Sequence, residues 1–219
     1  MNSKWSPFEI LFLSVFLIAA AYINFQADNG VFNFSVAASG ILCVVLTAKG
    51  KVSAYFFGLY NTVSYAYLAH INGLYGELGL NLIFFTPMNF IGFFLWQKNL
   101  ENGLVKMRKL TAMSGLLLTL STIICTVILG YLLSLIESQN TPFIDASTNI
   151  LSIAATILMT LRYKEQWLLY IVLNILTIIM WYQRHRSGSQ EGEIMILMWV
   201  GYLINSFYGY INWSRYASK

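Results

Sequence analysis

Charge is scarce in this 219-residue chain: Asp, Glu, Lys and Arg together make up 10% of it, against 58% hydrophobic residues. An ordinary soluble domain carries about a quarter of its positions charged, so that class is excluded. Two cysteines, Cys43 and Cys125, and two histidines, His70 and His185, are too few and too scattered for a disulfide framework, a metal site or a catalytic pair. No Gly-x-x-x-x-Gly-Lys run is present, so nucleotide hydrolysis is not expected. The net charge of +4 comes without a basic, folded soluble module, which argues against a nucleic-acid partner. No catalytic residue, cofactor or metal ligand is assigned, and the expectation is that the chain is not an enzyme.

What the chain has in abundance is long apolar runs. A bilayer core about 30 Å thick needs roughly 20 apolar residues per helix. Eight such spans can be drawn: Phe8 to Phe25, Phe32 to Ala48, Val52 to Ile71, Leu78 to Trp96, Ala112 to Ile136, Asp145 to Leu161, Gln166 to Tyr182 and Ile194 to Trp213. Polar breaks such as Asp28-Asn-Gly30, Lys49-Gly-Lys51, Asn72-Gly73, Lys98 to Lys109 and Asn140-Thr-Pro142 separate them. The expected class is therefore an all-α integral membrane protein, since in lipid only helices or closed barrels satisfy every backbone group.

The loops also orient the chain. Assigned alternately to two sides, they put Lys4, Lys49, Lys51, Lys98, Lys106, Arg108, Lys109, Arg162, Lys164, Arg215 and Lys219 on one side and only Arg184 and Arg186 on the other. By the positive-inside rule both termini of this multi-pass chain are expected in the cytoplasm. Asp28, Glu77, Glu137, Glu191 and Glu193 fall on the outer side. The first span is read as a retained helix, because Phe8 to Phe25 is long for a signal peptide.

Two blocks recur. Phe57-Gly-Leu-Tyr-Asn61 matches Tyr170-Ile-Val-Leu-Asn174, and Phe90-Ile-Gly-Phe-Phe-Leu-Trp96 matches Phe207-Tyr-Gly-Tyr-Ile-Asn-Trp213, at spacings of 113 (174 − 61) and 117 (213 − 96). The matches fall in corresponding spans, which predicts two parallel three-helix repeats joined by a linker helix. The expected segments are an extra N-terminal helix over 1–30, a first repeat over 31–97, a loop and linker over 98–141, and a second repeat with its tail over 142–219.

Within the repeats, amides and aromatics supply the polar chemistry. Asn61, Asn89, Asn174 and Asn205, with Asn81 and Asn149 as further carboxamides, lie inside predicted spans, where each amide needs a partner, either another helix or a ligand. Trp167, Tyr170 and Asn174 share one helical face at i, i+3 and i+7, with Ala54 and Phe57 at the matched places of the first copy. Aromatic faces stack on flat rings and attract cations, so the expected ligand is a planar heteroaromatic molecule. Tyr60, Tyr65, Phe90, Trp181, Tyr202 and Tyr208 are further aromatic candidates, with interfacial anchoring as the competing role for Trp167. No span has Asp, Glu, Lys or Arg at its centre, which favours movement down a gradient over ion coupling. Pro87 is expected to kink the fourth span near Asn89.

These residues resemble a known family. Asp145 to Met159 followed by Lys164-Glu-Gln-Trp-Leu-Leu-Tyr-Ile-Val-Leu-Asn174, together with Tyr55 to Asn61 and Asn89 to Trp96, is similar to the PnuC-type bacterial vitamin transporters over about residues 31 to 213. The resemblance implies a SWEET-like three-one-three helix arrangement and facilitated diffusion of a water-soluble B-vitamin or precursor, trapped afterwards by a cytoplasmic kinase. It also implies that Trp167 and Tyr170 stack on the ring while Asn61, Asn89, Asn174 and Asn205 orient polar substituents. The family's Trp-x-x-Trp motif, associated with nicotinamide riboside, reads Trp167-Leu-Leu-Tyr170 here. That departure tilts the expectation towards thiamine, with nicotinamide riboside as the alternative and a non-transporting receptor or scaffold as a further one. A homo-oligomer associating through lipid-facing helices is a further possible partner arrangement.

Overall fold

The computed structural model describes residues 5–26, 30–71, 78–136, 141–186 and 192–217. Asp28, Asn72, Gly73, Glu77, Glu137, Asn140, Glu191 and the terminal Lys4 and Lys219 lie outside them. All eight expected segments are helical: α1 Pro7–Gln26, α2 Gly30–Ala48, α3 Ala54–Ile71, α4 Thr86–Lys98, α5 Ala112–Ser134, α6 Pro142–Thr160, α7 Gln166–Arg186 and α8 Gly192–Tyr216. Among the described residues, six segments are long and apolar enough to cross a membrane: α1, α2, Leu80–Lys98, α5, α6 and α7. Outside that set, α3 carries four tyrosines, Asn61 and His70, and α8 carries Asn205 and Asn212 among its tyrosines. Such residues lower the hydropathy of a helix without making it soluble.

The chain divides into two compact units, Met1–Met107 with Thr160–Arg162 and Arg108–Met159 with Tyr163–Ser218. In the first unit α1 packs on α2, α2 on α3 and α3 on α4. The α1 N-terminus closes as a capping box, in which the Ser6 amide donates to Glu9 Oε2 at 2.7 Å and the Glu9 amide to Ser6 Oγ at 3.2 Å. The same Glu9 oxygen accepts from Lys49 Nζ at 2.5 Å, in a pair whose side chains are 3% and 2% exposed. Lys49 also lies 4.6 Å from the centre of the Trp5 ring.

Pro87 shapes the fourth span by a route that its expected kink left open. A π-helical turn, Leu80–Phe85, runs directly into α4, with the Thr86 amide reaching back to the Asn81 carbonyl. Proline has no N–H and its ring crowds the preceding turn, so the backbone widens there and the Thr86 hydroxyl adds a second bond to the same carbonyl at 2.9 Å. Beyond α4 a short antiparallel hairpin pairs Leu100–Glu101 with Leu104–Val105. Its two central residues, Asn102 and Gly103, have φ of 52° and 77°, the left-handed pair that a two-residue hairpin requires. Hydrogen bonds from Val105 N to Gly50 O and from Arg162 Nη1 to Lys106 O hold the hairpin against the unit.

In the second unit the α7–α8 pair forms the main contact. Gly130 of α5 receives the Phe143 ring of α6 so closely that a Cβ there would collide with it. Glu165 accepts from the Leu110 amide at 3.1 Å, Lys164 donates its amide to the Arg108 carbonyl, and the Arg108 guanidinium lies 4.4 Å from the centre of the Tyr163 ring.

One local construction occurs twice along the chain. The α2 end and the α6 end both turn through a left-handed residue, Gly50 with φ 70° and Arg162 with φ 68°. Lys51 N then bonds Leu46 O at 2.9 Å, and Tyr163 N bonds Leu158 O at 2.8 Å, the 6→1 closure of a helix C-terminus. The next helix starts alike, Ala54 N to Lys51 O and Tyr55 N to Val52 O answering Gln166 N to Tyr163 O and Trp167 N to Lys164 O. Every pair is separated by 112 positions (162 − 50), one fewer than the 113 read from the matched asparagines. The backbone therefore sets Trp167 against Tyr55 rather than Ala54, and Asn174 against Thr62 rather than Asn61.

Candidate functional site

The shared frame fixes what each candidate side chain touches. In the second unit, the face of α7 carries Trp167, Tyr170, Asn174 and Thr177 at helical spacing. Trp167 is 2% exposed because Gly209 of α8 lets the indole lie against the backbone; a Cβ at Gly209 would sit 2.5 Å from its Cε2. The Trp213 ring meets Trp167 edge-on at 6.1 Å, and the Tyr170 ring lies 5.9 Å away, tilted by 54°. One turn further along, Asn174, 3% exposed, donates from Nδ2 to Ser206 Oγ at 3.0 Å, and Ser206 donates in turn to the Tyr202 carbonyl at 2.8 Å. Asn205, next to Ser206, is 2% exposed.

The first unit builds the same pattern with different residues. Tyr55 rests on Gly92, whose added Cβ would strike the phenol ring, and meets Trp96 edge-on at 5.0 Å. Asn89 donates to Thr62 Oγ1 at 3.3 Å and to the Phe85 carbonyl at 2.9 Å. Each unit thus has an amide-to-hydroxyl bond between the same two helices, with the partners exchanged: the amide is on α4 in one and on α7 in the other. Gly58 leaves room for Asn89, since a Cβ there would lie 2.6 Å from Asn89 Oδ1. Asn61 faces a different neighbour, donating to the Val36 carbonyl at 2.8 Å and to Ser39 Oγ at 3.4 Å, and so ties α3 to α2.

Of the six candidates, Trp167, Tyr170 and Asn174 share one face of α7, with Asn205 on the adjoining α8, while Asn61 and Asn89 serve different helix pairs of the first unit. Tyr60, Tyr65 and Phe90 expose 45%, 40% and 50% of their surface, and Tyr60 bonds Ser35 at 2.7 Å. Two residues were missed by the sequence reading. Ser206 answers Asn174 across the helix pair, and Gln166 is a fully buried carboxamide directly before Trp167. A polar residue at the head of an apolar run beside a candidate tryptophan was the available signal. Among the described residues, no cluster of three or more His, Cys, Asp or Glu is placed to hold a metal.

Many apolar helices define a multi-pass membrane protein, and in its second unit a buried strip of aromatic rings ends in amides. Comparison with known proteins gives the family. Residues 30–215 match the model described as Nicotinamide mononucleotide transporter. The chain is 39% identical over 222 residues to the nicotinamide riboside transporter PnuC of Neisseria mucosa, covering 98% of this chain and 84% of that relative. It is 38% identical over 221 residues to the protein of the same name from Haemophilus influenzae, covering 99% and 94%. A solved structure described as the vitamin B3 transporter PnuC superposes with a TM-score of 0.81 at 38% identity, over 99% of this chain and 94% of that one. This chain belongs to the PnuC family of membrane transporters.

Proposed function

We propose that the protein carries nicotinamide riboside across the bacterial inner membrane by facilitated diffusion. The observation that carries this reading is the buried face of Trp167, Tyr170 and Asn174, within a chain whose relatives at 38–39% identity bear the name of nicotinamide riboside transporters. The tyrosine at position 170 pointed towards thiamine, and the relatives favour the other ligand. The change from tryptophan reduces the area of the second ring and keeps an aromatic face for a pyridinium.

In this reading Trp167 and Tyr170 stack on the ring, and Asn174 and Asn205 take up polar substituents. The amide nitrogens of Asn61 and Asn89 are committed to the protein, so these two residues act through their carbonyl oxygens. The helices α2 to α4 and α6 to α8 are the two three-helix repeats, α5 is the linker and α1 an addition, giving segments 1–30, 31–97, 98–141 and 142–219. Recurrence of the same caps and ring-on-glycine contacts supports that division. The loop charges support cytoplasmic termini, and a kinase phosphorylating the arriving nucleoside would keep uptake running downhill.

Reconstitution tests the reading. Proteoliposomes should show saturable nicotinamide riboside uptake that needs neither ATP nor an ion gradient, and a tryptophan-fluorescence titration should respond to nicotinamide riboside more strongly than to thiamine. A stronger thiamine response would return the assignment to that vitamin, and the absence of uptake with either would leave a receptor or scaffold.

A further inference from the structure

Polar side chains of α6 gather on one face. At helical spacing Asp145, Thr148, Asn149, Ser152 and Thr156 fall within a single sector, about a third of the way round the helix. The first four are partly accessible, and Thr156, further along, is buried. The far side carries Phe143 and Ile157, exposed at 51% and 40%. An apolar side suits lipid, whereas an accessible strip of carboxylate, amide and hydroxyl in a bilayer has to meet water or a ligand. The strip is not closed by its own hydrogen bonds. Asp145 Oδ1 accepts from the Thr141 hydroxyl at 3.3 Å, while the Thr148 hydroxyl and the Asn149 amide both turn back to the Asp145 carbonyl, at 3.0 and 2.8 Å. The ion pairs among the described residues are Lys49 with Glu9 and Lys106 with Glu101, so the Asp145 carboxylate has no cationic partner there. Nor does the helix need this polarity. At the separation of 112 positions set by the caps, Asp145, Thr148, Asn149 and Ser152 answer to Asn33, Val36, Ala37 and Gly40 of α2, a face without charge.

Building on the function proposed above, and on the loop charges that put the start of α6 at the outer surface, we infer that Asp145 is a specificity-determining residue that draws a cationic ligand in along this face of α6. The pyridinium ring of nicotinamide riboside carries a full positive charge. Its 1,4-dihydro form has the same carboxamide and ribose and no ring charge, so a lone carboxylate favours the first and is indifferent to the second. The helix dipole favours an anion in the first turn, and the fold therefore tolerates the unpaired carboxylate at that place. Partial exposure sets the strength of the effect: enough to steer a cation, and too screened to trap it. Beyond Asp145 the strip is neutral. Asn149 Oδ1, which receives no hydrogen bond among the described residues, and the Ser152 hydroxyl can take up ribose hydroxyls in turn, so that the ligand enters by charge and moves on by weaker bonds.

Initial rates of uptake of nicotinamide riboside and of its 1,4-dihydro form into proteoliposomes holding the full-length protein, each below saturation, test the inference. Asp145→Asn keeps an acceptor for the Thr141 hydroxyl and removes the charge. It should slow uptake of the cation about threefold to thirtyfold, the range for one charge acting over several ångströms through a wet medium, and leave the rate of the neutral form where it was. Asp145→Glu should restore the cation rate. In the wild type, raising the ionic strength should slow the cation and not the neutral form, a readout that needs no variant to fold. An unchanged ratio of the two rates in Asp145→Asn, or a wild-type cation rate indifferent to salt, overturns the inference and leaves the transport reading intact. A wild type that carries neither compound overturns both.

Discussion

The pair formed by Glu9 and Lys49 allows a sharp test of why α1 is held to the rest of the first unit. Both side chains are almost wholly buried, at 3% and 2% exposure, and the charges are in contact. Glu9→Gln removes the negative charge and keeps the capping role, because glutamine also serves at the third position of a capping box. The helix start is then preserved and the variant isolates the ion pair. Breaking a buried pair by neutralising one partner costs about 3–5 kcal/mol, because the other charge stays desolvated and uncompensated. The C-terminal end of α2 and the Trp5 ring still favour the Lys49 ammonium in the variant, and each is weaker than the carboxylate, at about 0.3–2 kcal/mol. Reversible unfolding in detergent should show the loss for Glu9→Gln and its recovery in the double variant Glu9→Gln with Lys49→Met. A coupling energy below about 0.5 kcal/mol in that cycle would refute the reasoning.

Three further outcomes follow from the same geometry. Gly209→Ala should lower stability by about 1–3 kcal/mol by thrusting a methyl into the Trp167 indole, read as a melting-temperature loss together with altered tryptophan emission. Asn174→Leu should abolish nicotinamide riboside binding in a calorimetric titration at a stability cost of only about 1 kcal/mol, since Ser206 keeps its bond to the Tyr202 carbonyl; unchanged affinity would remove Asn174 from the site. Tyr170→Trp should tighten nicotinamide riboside binding by about 0.5–1.5 kcal/mol, and a loss of affinity would mean that the tyrosine hydroxyl is itself a ligand contact.

Helix positions were legible in the sequence to within a few residues, because a bilayer leaves the backbone few alternatives and the apolar runs have the length of a span. The hairpin after α4 escaped notice although Asn102-Gly103 is its strongest short-range signal, because its strands are two residues long. Pro87 announced an irregularity and not its form; the π turn depends on the carbonyl of Asn81 receiving both the amide and the hydroxyl of Thr86. Among the candidate residues, the shared face of Trp167, Tyr170 and Asn174 followed from helical periodicity alone. The commitments of Asn61 to α2 and of Asn89 to Thr62 did not, since an asparagine in a span carries no mark of which helix it will meet.

By itself the sequence determined a membrane protein of eight helices with recurrent blocks and an aromatic-amide face, because composition and period act along the chain. The register of those blocks was decided only in three dimensions. Identical letters aligned Asn61 with Asn174, whereas the helix caps and the rings seated on Gly92 and Gly209 align Tyr55 with Trp167 and Thr62 with Asn174. Side chains that fill the same space need not be the same residue, and an amide-to-hydroxyl bond works with its partners exchanged, so equivalence lies in packing and hydrogen bonding, which sequence matching does not see.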